Sequence, residues 1–426
     1  MWEVENSKRH YLTHGLHGIK KFLRSQEASN SNSLQRQNCQ VKLNSLNNKP
    51  KIAITVVLIA VIVFSVFLVD NFSRPAPSRQ FYVGVEYAYA DGTAQLEALV
   101  DKVSGYTNLF VIGSLGISFN RTALDESCDY IAGHGLSFIV LFTALNNYTG
   151  PNGYNITDWM VSAQQRYGDK FLGIYKIDEP GGNQLDNGVS QLINDTLSYA
   201  QTSQSYVGNL SQMVNYYYNF TPRVFTADFA LNWFDYKANY TTVLAEFVGN
   251  ESRQRIIALD RGAATAFDRD WGVIINWKYN QEPYLESGDE LYSDLALAYS
   301  AGAKYAVVFS YPNMTDSAYG TLQDQHFEAL QKFWDALHSN PDSLGSNQPE
   351  VAYVMPRDYG FGFRSPNDHI WGLFPPDNLS AKIYGDVQTL TSRYGAHLDI
   401  LYDEPAITAS LLASYRQVFF WNQTIT

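Results

Sequence analysis

The chain has 426 residues, 45% hydrophobic and 15% aromatic, which excludes a disordered protein and supplies apolar material for a large core in more than one domain. Acidic residues outnumber basic ones 42 to 30, and the excess lies beyond residue 51, which argues against nucleic acid as a partner. No HExxH, CxxC pair, Walker loop or G-x-S-x-G occurs, and the histidines at 134, 326, 338, 369 and 397 are scattered, so no metal and no organic cofactor is expected.

Residues 1–51 form a basic, polar tail with nine Lys or Arg against three Glu, net +6, which leaves 21 basic and 39 acidic residues beyond it, net −18. Leu12, Leu16, Ile19 and Leu23 share one face of a basic helix suited to the inner leaflet; a solvated tail is the alternative. Residues 25–48, rich in Ser, Asn and Gln, read as a flexible linker. The uncharged run IAITVVLIAVIVFSVFLV occupies residues 52–69. At about 1.5 Å per residue it spans roughly 27 Å, enough for one transmembrane signal-anchor helix. The long preceding tail and the lack of a small-residue cleavage site argue against a cleaved signal peptide. Basic flanks stay in the cytoplasm, so the expectation is a single-pass cell-membrane protein with its N-terminus inside and its C-terminal bulk extracellular. Candidate glycosylation sites agree. Asn120, Asn147, Asn155, Asn194, Asn209, Asn219, Asn239, Asn250, Asn313, Asn378 and Asn422 each begin N-x-S/T, and all lie beyond the span. On this topology the membrane separates Cys39 from Cys128 and excludes an intrachain disulfide. Residues 70–80 form a short stiff stalk.

From residue 81 short apolar runs alternate with amphipathic stretches, as in a parallel sheet with crossover helices. Strands are expected at FYVGVEY (81), NLFVIG (108), LSFIVLF (136), FLGIYKI (171), RVFTADF (223), TVLAEFV (242), GVIINW (272) and YAVVFSY (305). Eight strands over residues 81–340 fit a (β/α)8 TIM-like barrel, and the absence of a Gly-rich phosphate loop after the first argues against an open doubly wound sheet. A polar linker, 341–350, precedes a small C-terminal α/β unit, 351–426: strand VAYVM, a helix, strand LDILY, a short helix and strand QVFFWN.

Reacting groups of such a barrel sit at the C-terminal ends of its strands. Those ends offer Glu86, Asp178 and Glu179, Asp228, Glu246, and then Lys278, Glu282 and Glu286. Carboxylates gathered at one mouth raise one another's pKa, which solvation alone does not require. Tyr87, Tyr89, Trp233 and Trp277 are placed to stack on sugar rings. Asp178-Glu179-Pro180 recurs as Asp403-Glu404-Pro405, so the tripeptide by itself marks only a strand end.

In its barrel pattern and in Asp178-Glu179-Pro180 the chain resembles the large clan of retaining glycoside hydrolases, whose fourth strand ends in an Asn-Glu-Pro-like sequence and whose second Glu follows the seventh. The resemblance implies that Glu179 is the acid/base and Glu282 the nucleophile, with Glu246 in reserve and Lys278 or Arg261 keeping the nucleophile ionised. Asp178 departs from the clan's Asn. The C-terminal unit resembles the glutamine-amidotransferase-like (flavodoxin-like) domain of family 42 β-galactosidases. Two functions follow: a membrane-anchored extracellular glycoside hydrolase acting on glycans with two carboxylates, or a non-catalytic surface protein that binds glycan or a coat protein.

Overall fold

Side chains alternate between the two faces of a strand, so a strand apolar on both faces must be covered on both. The eight expected strands have that character. The computed structural model describes residues 80–143, 147–148, 152–186, 191–195 and 197–425. In it β1 (Tyr82–Ala88), β2 (Leu109–Gly113), β3 (Ser137–Leu141), β4 (Phe171–Tyr175), β5 (Val224–Asp228), β6 (Thr242–Phe247), β7 (Asp270–Ile275) and β8 (Tyr305–Ser310) pair in parallel in chain order, and β8 returns to β1 to close the barrel. The architecture is the TIM-like barrel expected. The basic tail and the run at 52–69 lie outside the described residues, among which no helix is long and apolar enough to cross a membrane.

The interior holds Leu109, Val111, Ile139, Leu172, Phe225, Leu244, Ile274, Tyr305 and Val307 among others. At its N-terminal floor Tyr82 stacks on Tyr305 with centroids 5.3 Å apart. Gly84 lets that floor close, since a Cβ there would stand 1.8 Å from the Leu109 carbonyl oxygen. The alternate residues Val83, Val85 and Tyr87 belong to the outer shell, under the helices.

That layer comprises α1 (Thr93–Val103), α2 (Arg121–Gly133), α3 (Ile156–Tyr167), α4 (Pro180–Leu185), α5 (Tyr199–Tyr217), α6 (Asn232–Lys237), α7 (Arg253–Phe267), α8 (Gly288–Ala301) and α9 (Asp324–Ser339). Asn120, Asn155, Ser198 and Ser252 accept backbone N–H bonds as N-caps, and Ser287 with Glu290 forms a capping box. Each fixes where a strand-to-helix loop ends.

Beyond these, β9 (Val351–Met355), α10 (Ser380–Tyr394), β10 (Leu398–Tyr402), α11 (Ala409–Ser414) and β11 (Gln417–Phe420) build a parallel sheet of order β10-β9-β11. The sheet lies on α7, where Gly262 allows the close approach: a Cβ there would sit 2.5 Å from the Ile400 oxygen. Arg261 does not point into the barrel mouth. Its guanidinium donates to Asp399 Oδ1 at 2.7 Å and to the carbonyls of Asn347 at 2.9 Å, Ala396 at 2.7 Å, Leu398 at 3.0 Å and Ala301 at 3.2 Å. A fully engaged Arg of this kind bonds the sheet to the barrel and gives one compact unit.

Candidate active site

The loop after β4 has a constrained backbone. Ile177 and Glu179 both have left-handed φ, 58° and 47°, a conformation that costs about 1–3 kcal/mol at such residues and persists where the surroundings enforce it. The surroundings do so at every step. Tyr240 donates to the Lys176 carbonyl at 2.9 Å and Thr226 to that of Ile177 at 2.6 Å. Asn183 donates to the carbonyls of Asp178 and Glu179, each at 2.8 Å. Asp228 accepts the Gly181 N–H at 2.5 Å and the Phe229 N–H at 2.8 Å. Farther along α4, buried Gln184 donates to the carbonyls of Ile193 at 2.8 Å and Trp371 at 3.0 Å, and Arg364 donates to that of Leu185 at 3.0 Å. The small C-terminal unit thus braces the helix that begins at Glu179.

Four carboxyls face the C-terminal mouth. Glu86 and Glu246 project into the interior from β1 and β6, opposite Phe309 and Ile274 in the register, and are 7% and 2% exposed. Asp178 and Glu179 reach over them from the β4 loop. Glu179 and Glu246 approach within hydrogen-bonding reach, carboxyl to carboxyl, a contact that requires one proton between them. Burial and then the Glu179 charge raise Glu246 well above the carboxylate range; burial also raises Glu179, while the bond from Glu246 pulls it back. Glu246 is the more deeply buried of the two, so burial favours the shared proton there. Asn276 adds a bond to Glu246 Oε1 at 3.3 Å. Burial and the Asp178 charge push Glu86 up to about 8. Asp178 is open to solvent at the rim, yet the protein crowded around it raises its carboxyl against the Tyr175 hydroxyl, which donates to it.

An aromatic wall completes the mouth. Trp277 packs on Phe309 with centroids 4.9 Å apart, and half-exposed Tyr89 packs on Tyr311 at 5.1 Å. The Tyr89 hydroxyl is raised by burial and then by the charges of Asp178, Glu86, Glu179 and Glu246, so the wall and the four acids share one space.

Several expected residues lie elsewhere. Tyr87, adjacent to Glu86, must face the other side of β1; it is buried under the helices and donates to the Gly92 carbonyl at 2.8 Å. Trp233 is buried on α6 against Phe267 and Tyr402, 5.0 and 5.3 Å between centroids, at the junction with the small sheet. Asp228 clamps the β4 loop from outside the barrel and shares a proton with buried Asp235. Glu282 is exposed on the loop after β7, before a cis peptide to Pro283. Glu246, not Glu282, meets Glu179. Glu286 pairs with Arg253 at 3.1 Å and Lys278 with Glu290 at 2.5 Å, both toward the helical layer. Tyr175, Asn276, Phe309 and Tyr311 were absent from the expectation. Counting every second residue back from each strand end would have found Tyr175 and Phe309. Among the described residues no group of three or more His, Cys, Asp or Glu side chains could hold a metal ion.

No family profile matches the chain, and no curated protein matches it. Among solved structures it is similar to alpha-L-fucosidase isoenzyme 2 from Paenibacillus thiaminolyticus, with 11% identity, a TM-score of 0.47 and coverage of 80% of this chain and 64% of that one. It thus spans just under two thirds of the fucosidase. It is also similar to GH5_18 from Bifidobacterium longum subsp. longum, with 11% identity, TM-score 0.47, and 81% and 98% coverage. The beta-mannanase of the blue mussel Mytilus edulis shows 11% identity, TM-score 0.38, and 62% and 93% coverage.

Proposed function

We propose that this chain is a retaining glycoside hydrolase, anchored in the cell membrane by residues 52–69 with its barrel outside the cell. The observation that carries the reading is the Glu179–Glu246 pair at the C-terminal mouth, a half-buried and a buried carboxyl sharing one proton beside an aromatic wall. Glu246 holds the proton and gives it to the glycosidic oxygen as that bond to the anomeric carbon breaks. Glu179, ionised, forms the ester bond to the same carbon. Glu246, now a carboxylate, takes a proton from water, whose oxygen replaces Glu179. Keeping the proton on the more deeply buried carboxyl reverses the roles that the resemblance implies. Carboxyls in contact leave no room for the intervening water of an inverting enzyme, whose pair stands about 6.5–9.5 Å apart against about 5–5.5 Å in a retaining one. The anchor and its orientation are supported by the charge split across residue 51 and by the sequons, none of whose asparagines is buried. On this reading residues 1–51 are cytoplasmic, 70–80 a stalk, and 351–426 a brace for the catalytic loop.

A panel of 2-deoxy-2-fluoro aryl glycosides tests the proposal: turnover should stall on a glycosyl ester, and peptide mass spectrometry should find the label on Glu179. A label on Glu246 or Glu282 refutes the assigned roles. The contact itself favours one other reading, a glycan-binding protein without turnover, because the pair is closer than either hydrolytic spacing. Glycan retention with no hydrolysis of any panel member would establish it.

A further inference from the structure

Resting on the reading of the mouth as the glycan site, we propose that the bound glycan carries a protonated amine, a glucosamine-type sugar, held by Glu86 and Asp178 against the ring of Tyr89. Two carboxyls suffice for glycosyl transfer, so Glu86 and Asp178 are surplus to it. Glu86 is 7% exposed and aimed into the mouth from the inner face of β1, with no hydrogen bond from any described side chain or backbone group. Gly113 gives it room: a Cβ there would lie 2.1 Å from Glu86 Oε1, so any larger residue would displace the carboxyl from this position. A buried acid without a partner is costly, and a cation supplied by the ligand removes that cost.

Among the described residues neither Glu86 nor Asp178 has a Lys or Arg partner. Lys176, the nearest cation in sequence, faces away, with Nζ on the carbonyls of Phe142 at 3.0 Å and Thr143 at 2.9 Å. Arg364 and Lys278 are paired with Asp186 and Glu290. Tyr89, 48% exposed, offers an aromatic face beside the acids, a setting that attracts an ammonium group. An acidic sugar would meet a cluster of acids and, among the described residues, no Lys or Arg partner on Glu86 or Asp178. The titratable groups facing Glu86 are Asp178 and Tyr175 from β4 and its loop, and Tyr89 beyond β1. Burial holds its proton at neutral pH, so docking of an ammonium should expel that proton.

Full-length protein in detergent micelles, titrated calorimetrically at pH 7 with a thio-linked, uncleavable glucosamine pentamer, tests this. The pentamer should bind at least tenfold more tightly than its N-acetylated counterpart, and buffers of different ionisation enthalpy should report about one proton released per site. Glu86→Gln should bring the two ligands within threefold and abolish the release; Glu86→Asp, which keeps the acid, should retain part of both. Equal affinity for the two pentamers, or equally tight binding of pentalysine, overturns the inference while leaving the glycan site standing. Failure of the two pentamers and of mannopentaose alike to bind overturns the proposed function instead.

Discussion

Glu86 also makes a quantitative claim about stability. Its carboxyl is pushed from the ordinary 4.5 up to about 8, by burial first and by Asp178 second. In the unfolded chain the group titrates near its ordinary value, so between the two values the folded state holds one more proton than the unfolded one. The stability it contributes is full below about 4.5 and is lost as pH rises through about 8. At about 1.4 kcal/mol per pH unit the complete loss is about 5 kcal/mol, of which about 3 kcal/mol falls between pH 5.5 and 8. Urea titration of the full-length chain in detergent, followed by tryptophan fluorescence at those two pH values, measures it. Wild type should lose about 3 kcal/mol more than Glu86→Gln over the interval, because the other raised carboxyls (Asp178, Glu179, Glu246, Asp235 and Asp260) are common to both proteins. Profiles that run parallel to within about 0.5 kcal/mol would refute the account of Glu86 as a buried, proton-holding group.

Glu404 is paired with Lys237 at 2.6 Å, so Glu404→Gln should cost about 1–3 kcal/mol of stability, the Lys being partly solvated, while kcat/KM on an aryl glycoside stays within a few-fold. Glu179→Gln should do the reverse, abolishing turnover with little loss of melting temperature; equal effects from both would mean that a turn has been taken for a site. Arg261→Ala leaves Asp399 buried and uncompensated and should cost about 3–5 kcal/mol, read by urea titration, with loss of under 1 kcal/mol refuting the role of the junction. Protease added to intact cells should release a glycosylated fragment beginning near Arg74; protection of that fragment until lysis would reverse the topology.

Much of the barrel was legible because its strands are apolar on both faces and bounded by turn residues. The helix Tyr199–Tyr217 was less so. Its inward positions include Thr202, Tyr206, Leu210, Val214 and Tyr217, a clear helical period only once Thr and Tyr are counted as core residues. The site was half legible. Glu179, Asp178, Glu86 and Glu246 were marked by their place at strand ends, and a period of two would have turned Tyr87 and Asp228 outward. Glu282 was chosen by position after the seventh strand. Nothing in its local sequence shows that the loop carries it to the surface, because that depends on how 276–286 folds back, with Lys278 and Tyr279 both donating to the Tyr284 carbonyl at 2.8 and 2.9 Å. Trp233 failed for a related reason: the small sheet covers α6, and residues from two units far apart in sequence decide its burial.

The two Asp-Glu-Pro copies show what separates a site from a turn. Both stop a parallel strand, and both are held at the strand end by main-chain bonds: Asn183 bonds from the helix just opened in the first copy, Asp403 N–H to the Met355 carbonyl in the second. Up to that point the physics is the same. At Glu404 a lysine from α6 lies against the carboxyl at 2.6 Å, so a fixed cation sits beside the acid and locks it in place. At Glu179 the side chain within hydrogen-bonding reach of the carboxyl is a buried acid, Glu246. Two like groups in one low-dielectric space cannot both ionise, so the pair must keep a proton that it can give away, which is the condition for acid catalysis. A lysine placed beside Glu179 would stabilise the fold and extinguish that property. On the proposed reading the functional signal is thus a strand-end carboxyl with no Lys or Arg beside it among the described residues, and it becomes visible only when the neighbours are known in three dimensions.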